Sequence, residues 1–231
     1  MREIVFDTET TGLDNQADRI IEIGCIELDN QFPTGRSLHL FINPDGRKVH
    51  PDALAVHGIT DAFLSDKPVF ADVVDEIADF FKGAHYVAHN ATFDMGFLNT
   101  EYKRVGRSPV APDLVIDTLS LARRRHPMGP NSLDALCRRY GIDNSHRTKH
   151  GALLDAELLT DVYIEMLGGR QAALGLSASD TEDVKRSSDD VIVEIGERPR
   201  PLPQRLSDAD RRSHAALVER IGASALWRKP N

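Results

Sequence analysis

Apolar residues recur along the first 169 positions in two rhythms, and each change of rhythm marks a new element. Short apolar or alternating runs around residues 3–8, 20–28 and 36–42, joined by polar turns, predict three strands in an antiparallel meander. Helical spacing then predicts helices near 51–56 and 69–82, a strand at 84–88, a helix at 92–105, a short strand at 114–117, and helices near 118–125, 132–140 and 152–167. Strands interleaved with covering helices predict a layered α/β domain. There is no internal repeat and no apolar run of membrane-spanning character.

After Gly168-Gly169 the pattern dissolves. Residues 171–206 are rich in Ala, Ser, Asp, Arg and Pro and end in Arg198-Pro199-Arg200-Pro201-Leu202-Pro203, a linker that is extended near its prolines. Val191-Ile192-Val193 is too short to build a core and is either a docking strand or a chance run. Ser207 with Asp210 opens a last helical pattern through Ala216, Leu217, Val218 and Ile221, and the chain closes on Ala225-Leu226-Trp227-Arg228-Lys229. The sole tryptophan, on a short amphipathic segment held off by a linker, predicts an anchor for another protein; the competing reading folds the tail back on its own domain. The expected division is a domain over 1–169, a flexible linker over 170–206 and a binding tail over 207–231.

Composition narrows the class. With 231 residues and 41% apolar content, the chain has material for one well-buried domain plus an appendage. It opens Met1-Arg2-Glu3 and reaches an acid of functional character at Asp7, which argues against a secretory signal. Cys25 and Cys137 have no metal or redox spacing, so both are expected to be packed thiols and the protein cytoplasmic. Net charge is −8, and residues 1–169 hold 17 basic against 26 acidic residues. Phosphate attraction alone cannot give such a domain tight nucleic-acid binding, so affinity would depend on metals or a partner. The dense basic groups there are Arg123-Arg124-Arg125 and Arg147 with Lys149; they face phosphate or, more simply, form a solvated helix face.

The candidate chemistry lies in three separated clusters. Ile4-Val5-Phe6-Asp7-Thr8-Glu9 reads as a buried strand running into two acids, and period two puts Asp7 and Glu9 on one face. Glu27 and Asp29 share that spacing, so spacing alone decides nothing; charge at the end of a buried strand is what needs a compensating partner, a metal or an opening. In Tyr86-Val87-Ala88-His89-Asn90-Ala91-Thr92-Phe93-Asp94, Asn90 has the character of an N-cap and Asp94 falls on the first helical turn. The third cluster places His150 just before a helix that carries Asp155 at its start. Converging carboxylates are hard oxygen ligands for magnesium-sized ions, and an imidazole ordinarily titrates near neutrality, as a base must.

Taken together, Asp7-x-Glu9, Asn90-x-x-Phe93-Asp94 and His150-x₄-Asp155 resemble the motifs of the DEDDh exonucleases, the proofreading class, over about residues 2–168. The resemblance implies a ribonuclease H-like fold, a mixed five-stranded sheet with helices on both faces, and two divalent ions, Mg²⁺ or Mn²⁺. It further implies that Asp7 bridges both ions, that Glu9 and Asp155 complete the site of the attacking water, that Asp94 serves the second ion and that His150 is the general base. Thr10, Gly12, Leu13, Val56, His57 and Phe93 are the candidates for gripping the terminal nucleotide. The tail is similar to the polymerase-binding terminus of the replicative proofreading members, with Leu217, Ile221, Leu226 and Trp227 as contacts. Gln171, Leu174 and Leu176 resemble a degenerate sliding-clamp peptide. The expected partners are DNA with a frayed or single-stranded 3′ end, the replicative polymerase, a sliding clamp and a small accessory subunit, with no membrane. Two rival readings stay open: an RNA-trimming exonuclease, and a subunit whose main task is structural support of a polymerase complex.

Overall fold

The computed structural model describes residues 1–169 and 207–222, in two compact units, Met1–Asp180 and Thr181–Asn231. In the first unit five strands form one mixed sheet in the order β3-β2-β1-β4-β5. β1 (Arg2–Thr10), β2 (Ile20–Asp29) and β3 (Phe32–Phe41) form the antiparallel meander read from the sequence, and β4 (His85–Ala88) and β5 (Val115–Asp117) run parallel to β1. β1 continues past residue 8 because its pairing continues, Glu9 opposite Glu22 and Thr10 opposite Ile20 across an irregularity. β3 starts at Phe32 rather than near 36, since Phe32 and Pro33 pair with Asp29 and Leu28.

Seven α-helices follow among the described residues of this unit: α1 (Pro51–His57), α2 (Asp61–Leu64), α3 (Phe70–Phe81), α4 (Ala91–Arg104), α5 (Thr118–Arg125), α6 (Leu133–Tyr140) and α7 (Ala152–Leu167). The short α2 escaped periodicity; Thr60 Oγ1 starts it by accepting from Phe63 N at 3.2 Å. Pleating splits β1 between two cores. Ile4 and Phe6 pack among residues of α3 and α4, whereas Val5 packs among residues of α5, α6 and α7. The same alternation carries Asp7 and Glu9 to the α7 face and Thr8 to the α4 face. Cys25 and Cys137 are buried free thiols, as expected. In the second unit α8 (Asp208–Ile221) opens with a capping box between Ser207 and Asp210. No described helix is long and apolar enough to cross a membrane.

The start of α7 is pressed onto β2 at Gly24. A Cβ built there would meet Leu153 N at 2.2 Å and the Ala152 carbonyl carbon at 2.3 Å, both backbone atoms that cannot turn aside. Gly24→Ala is therefore expected to cost about 3 kcal/mol or more of stability, at the upper end of overpacking. It should also weaken divalent-ion binding, because the displaced turn carries Asp155. Denaturant unfolding of the variant checks the first expectation and an Mn²⁺ titration the second.

Candidate active site

The end of β1, helix α1, the start of α4 and the loop before α7 meet at one cleft, whose lining includes Asp7, Glu9, Asp94 and His150. Asp94 is buried on the first turn of α4, where the helix dipole favours a carboxylate. Its Oδ1 accepts from Thr8 N at 3.1 Å and from Thr8 Oγ1 at 2.7 Å, so the residue between the two strand acids aims the third. Asn90 does hold the N-cap position, but its side chain does not cap. Its backbone is left-handed, with φ 65°, a conformation asparagine tolerates better than most residues. Asp117 Oδ1 from β5 takes over, accepting from Asn90 N at 3.0 Å and Ala91 N at 3.3 Å. Asn90 itself is exposed and lines the cleft, beside His89, whose Nδ1 lies 2.9 Å from Thr118 Oγ1.

Asp155 sits on the first turn of α7 with its side chain 3% exposed. His150 lies in the loop two residues before the helix, half-exposed, its N–H donating to Val56 O at 3.3 Å. Arg147 joins them. Its Nε donates to Asp155 Oδ1 at 2.5 Å, its Nη2 to Asp155 Oδ2 at 2.7 Å and to His150 Nδ1 at 2.8 Å, and its Nη1 to Asp134 Oδ1 at 2.9 Å. The solvated role read for Arg147 does not hold: its side chain is 8% exposed and bonded to Asp155, Asp134 and His150. Lys149 lies against Gly58, and Arg123 and Arg124 form the exposed last turn of α5, as a solvated face would.

Crowded carboxylates give this site its electrostatics. Burial, then Asp94, Glu9 and Asp155, push Asp7 well above the ordinary carboxylate range. Burial, then neighbouring Glu22, raise Glu9 to about 8, and burial raises Asp94 to about 7. Carboxylates forced together in this way are what a hard divalent cation relieves. Ligand atoms of Glu9, His150 and Asp155 also lie within 4.8 Å of one another. The donor set fits a divalent metal.

The direction of these shifts sets how stability varies with pH. Folded-state values raised above the unfolded ones mean that stability is fully present below about pH 4 and is lost as pH rises through about 7 to 8. With chelator, the melting temperature should fall between about pH 5 and about pH 8.5, and the gain on adding Mg²⁺ should grow over the same interval, because binding releases those protons. Thermal melts across pH, with and without Mg²⁺, check this; a flat profile in chelator would contradict it.

The six residues expected to grip a terminal nucleotide, Thr10, Gly12, Leu13, Val56, His57 and Phe93, all border the same cleft. Leu13 is 85% exposed at the end of a tight turn. Thr10 Oγ1 closes that turn onto Gly12 O at 2.6 Å, and a Cβ on Gly12 would meet Asp18 Oδ2 at 2.4 Å. On α8, Leu217 and Ile221 are both 42% exposed. Gln171, Leu174, Leu176, Leu226, Trp227 and the run 191–193 lie outside the described residues. Arg147 thus has partners that its place among basic residues did not suggest, and His89 and Asn90 join the cleft without having been expected there. Arg147 stands three positions before His150, and that adjacency was the available signal.

Known proteins resemble this chain in sequence and in fold. A family model described as an exonuclease, RNase_T, matches residues 4–163. The DNA polymerase III subunit epsilon of Salmonella typhimurium is 44% identical over 237 residues, covering 98% of this chain and 97% of that protein. Among solved structures, exonuclease X in complex with 5′-overhanging duplex DNA is 30% identical with a TM-score of 0.55, over 72% of this chain and 90% of that one. Exonuclease I, 20% identical with a TM-score of 0.64 over 75% of this chain and 42% of that one, shares the ribonuclease H-like fold.

Proposed function

Because the chain belongs to the RNase_T exonuclease family, we propose that it is the proofreading 3′–5′ exonuclease of a replicative DNA polymerase, removing mispaired 3′-terminal nucleotides from DNA. The observation that carries this reading is a cleft lined by Asp7, Glu9, Asp94 and His150, with Asp155 donor atoms within 4.8 Å of those of Glu9 and His150, in a chain alike over nearly its whole length to an epsilon subunit.

Asp7, Glu9, Asp94 and Asp155 would hold two divalent cations, Mg²⁺ or Mn²⁺. Bound there, such ions polarise a phosphodiester and lower the pKa of water toward neutrality. His150, at the cleft wall on a loop, takes the water's proton on its imidazole. Leu13 and Val56, exposed at the rim, press on the terminal base, while Thr10, Gly12, His57 and Phe93 enclose its sugar. Selectivity needs no reading of bases: a mispaired end frays more cheaply than a paired one, so a cleft that admits only an unpaired strand removes errors first.

The tail supplies the tether. α8 has no buried residue among those described, and its exposed Leu217 and Ile221, with Leu226 and Trp227 beyond, would dock on the polymerase subunit. Gln171, Leu174 and Leu176 would add a sliding-clamp contact, and a small accessory subunit would complete the assembly, in the cytoplasm where replication proceeds. In this division, 1–169 is the catalytic domain, 170–206 the linker and 207–231 the polymerase-binding tail.

Comparing the full chain with a form truncated after Gly169 tests these roles. Both should digest a mispaired DNA primer faster than a paired one, and only the full chain should retain the polymerase in a pull-down. Equal rates on both primers would remove the fraying argument, faster digestion of RNA would favour the trimming reading, and retention by the truncated form would sink the tail assignment.

A further inference from the structure

A guanidinium and a divalent cation ask the same thing of a carboxylate: its two oxygens. In this protein both oxygens of Asp155 are held by one arginine, at 2.5 Å and 2.7 Å, with the two side chains 8% and 3% exposed. We propose that Arg147 is the resident counter-cation of the site: it exchanges with a divalent ion for the Asp155 carboxylate, and it holds His150 by Nδ1 until that exchange takes place. The inference rests on the reading of Asp155 as a metal ligand.

Three features of the geometry carry it. First, the grip is a two-pronged fork, the strongest form of arginine–carboxylate pairing, and it occupies the lone pairs a metal needs. Second, His150 Nδ1 and Asp155 Oδ2 are 3.2 Å apart, which resembles an ion pair, but Arg147 Nη2 lies 2.8 Å from that same nitrogen. A guanidinium only donates, so the ring nitrogen it meets most closely, Nδ1 at 2.8 Å against 3.4 Å for Nε2, is the accepting one. Two acceptors are held together by one shared donor group, and the lone pair a base would use is engaged. Third, Arg147 has somewhere to stay: Nη1 is bonded to Asp134 Oδ1 at 2.9 Å, and that oxygen also accepts from Asn144 Nδ2 at 2.9 Å, anchoring the loop to α6. Arg147 can therefore give up Asp155 and His150 together without leaving the protein. It is a positioning residue, acting through Asp155 and His150 rather than on substrate.

A merely structural arginine and an exchanging one differ in the sign of their effect on metal binding. If Arg147 only orients Asp155, removing it weakens the ion site; if it competes for Asp155, removing it strengthens the site. The test is Mn²⁺ titration, followed by the electron-spin signal of free Mn²⁺, together with thermal melts in chelator and in Mn²⁺, on full-length wild type, Arg147→Gln and Arg147→Lys. Arg147→Gln is expected to bind Mn²⁺ about tenfold more tightly, since about 1.4 kcal/mol of competition is removed. It should melt lower than wild type in chelator, because a buried Asp155 has lost its partner, and recover that loss in Mn²⁺. Arg147→Lys keeps the charge but cannot span Asp155, Asp134 and His150 at once, and should fall between the two. Mn²⁺ affinity in Arg147→Gln equal to or below that of wild type overturns the proposal. Should that variant fail to fold in chelator, Arg147→Lys decides: affinity no higher than wild type overturns it. A wild-type protein that binds no Mn²⁺ would instead overturn the metal-dependent reading of the site itself.

Discussion

Asp7→Asn is expected to lose exonuclease activity by at least about 10⁴-fold, about 5.4 kcal/mol of barrier, while the protein becomes more stable in chelator. Both effects have one cause. Asp7 projects from β1 toward α7 into a site where burial and three acidic neighbours, Asp94, Glu9 and Asp155, push its carboxyl well above the ordinary range. Ionising it there costs folding free energy, so asparagine, nearly the same shape without the charge, removes a strain that the native site keeps for function. Each kcal/mol recovered should raise the melting temperature by about 2–4 °C for a domain of this size. The same substitution removes the carboxylate proposed to serve both cations, so Mn²⁺ affinity should fall along with the rate. Activity, Mn²⁺ titration and melting curves measured on one preparation check all three; a variant that keeps Mg²⁺-dependent hydrolysis would refute the site assignment.

His150→Ala should behave differently. Loss of a general base costs roughly 10²–10⁴ in rate, yet the residue is half-exposed in a loop, so stability in Mg²⁺ should barely move. Mn²⁺ binding should persist, since the four carboxylates remain. Because the imidazole stands at the wall of an open cleft, added imidazole should restore part of the lost rate, as a free base can occupy the space the side chain leaves. Rates of single turnover with and without imidazole make the measurement. Full activity in the alanine variant would show that another group takes the proton. Failure to bind Mn²⁺ would show that His150 serves chiefly as a ligand, in keeping with its place within 4.8 Å of the Glu9 and Asp155 donor atoms.

Most of the framework was legible from the chain alone, because hydrophobic rhythm is a local property. The meander of β1 to β3, the helices α3, α4 and α7 and the acids at the end of β1 all follow from which faces must leave water, and the acid, asparagine and histidine motifs lie within a few residues of the elements that carry them. Period two put Asp7 and Glu9 on one face, and the alternation of Val5 against Ile4 and Phe6 between the two cores bears this out.

Whatever depended on meeting across the fold was decided by tertiary structure. In sequence Arg147 is one of several basic residues in a polar loop. Only the packing of that loop against α6 and α7 turns it into a buried cation with Asp134, Asp155 and His150 as its acceptors. Asn90 has the composition of a helix cap, yet Asp117, 27 residues away, supplies the capping oxygen and leaves Asn90 to face the cleft. Gly24 reads as an unremarkable strand residue until the first turn of α7 is seen resting on its backbone. The physical reason is common to all three: hydrophobic patterning specifies which face of an element is buried, while the partner of a buried charge, or the space a missing side chain leaves, depends on distances between elements that the chain brings together only when it folds.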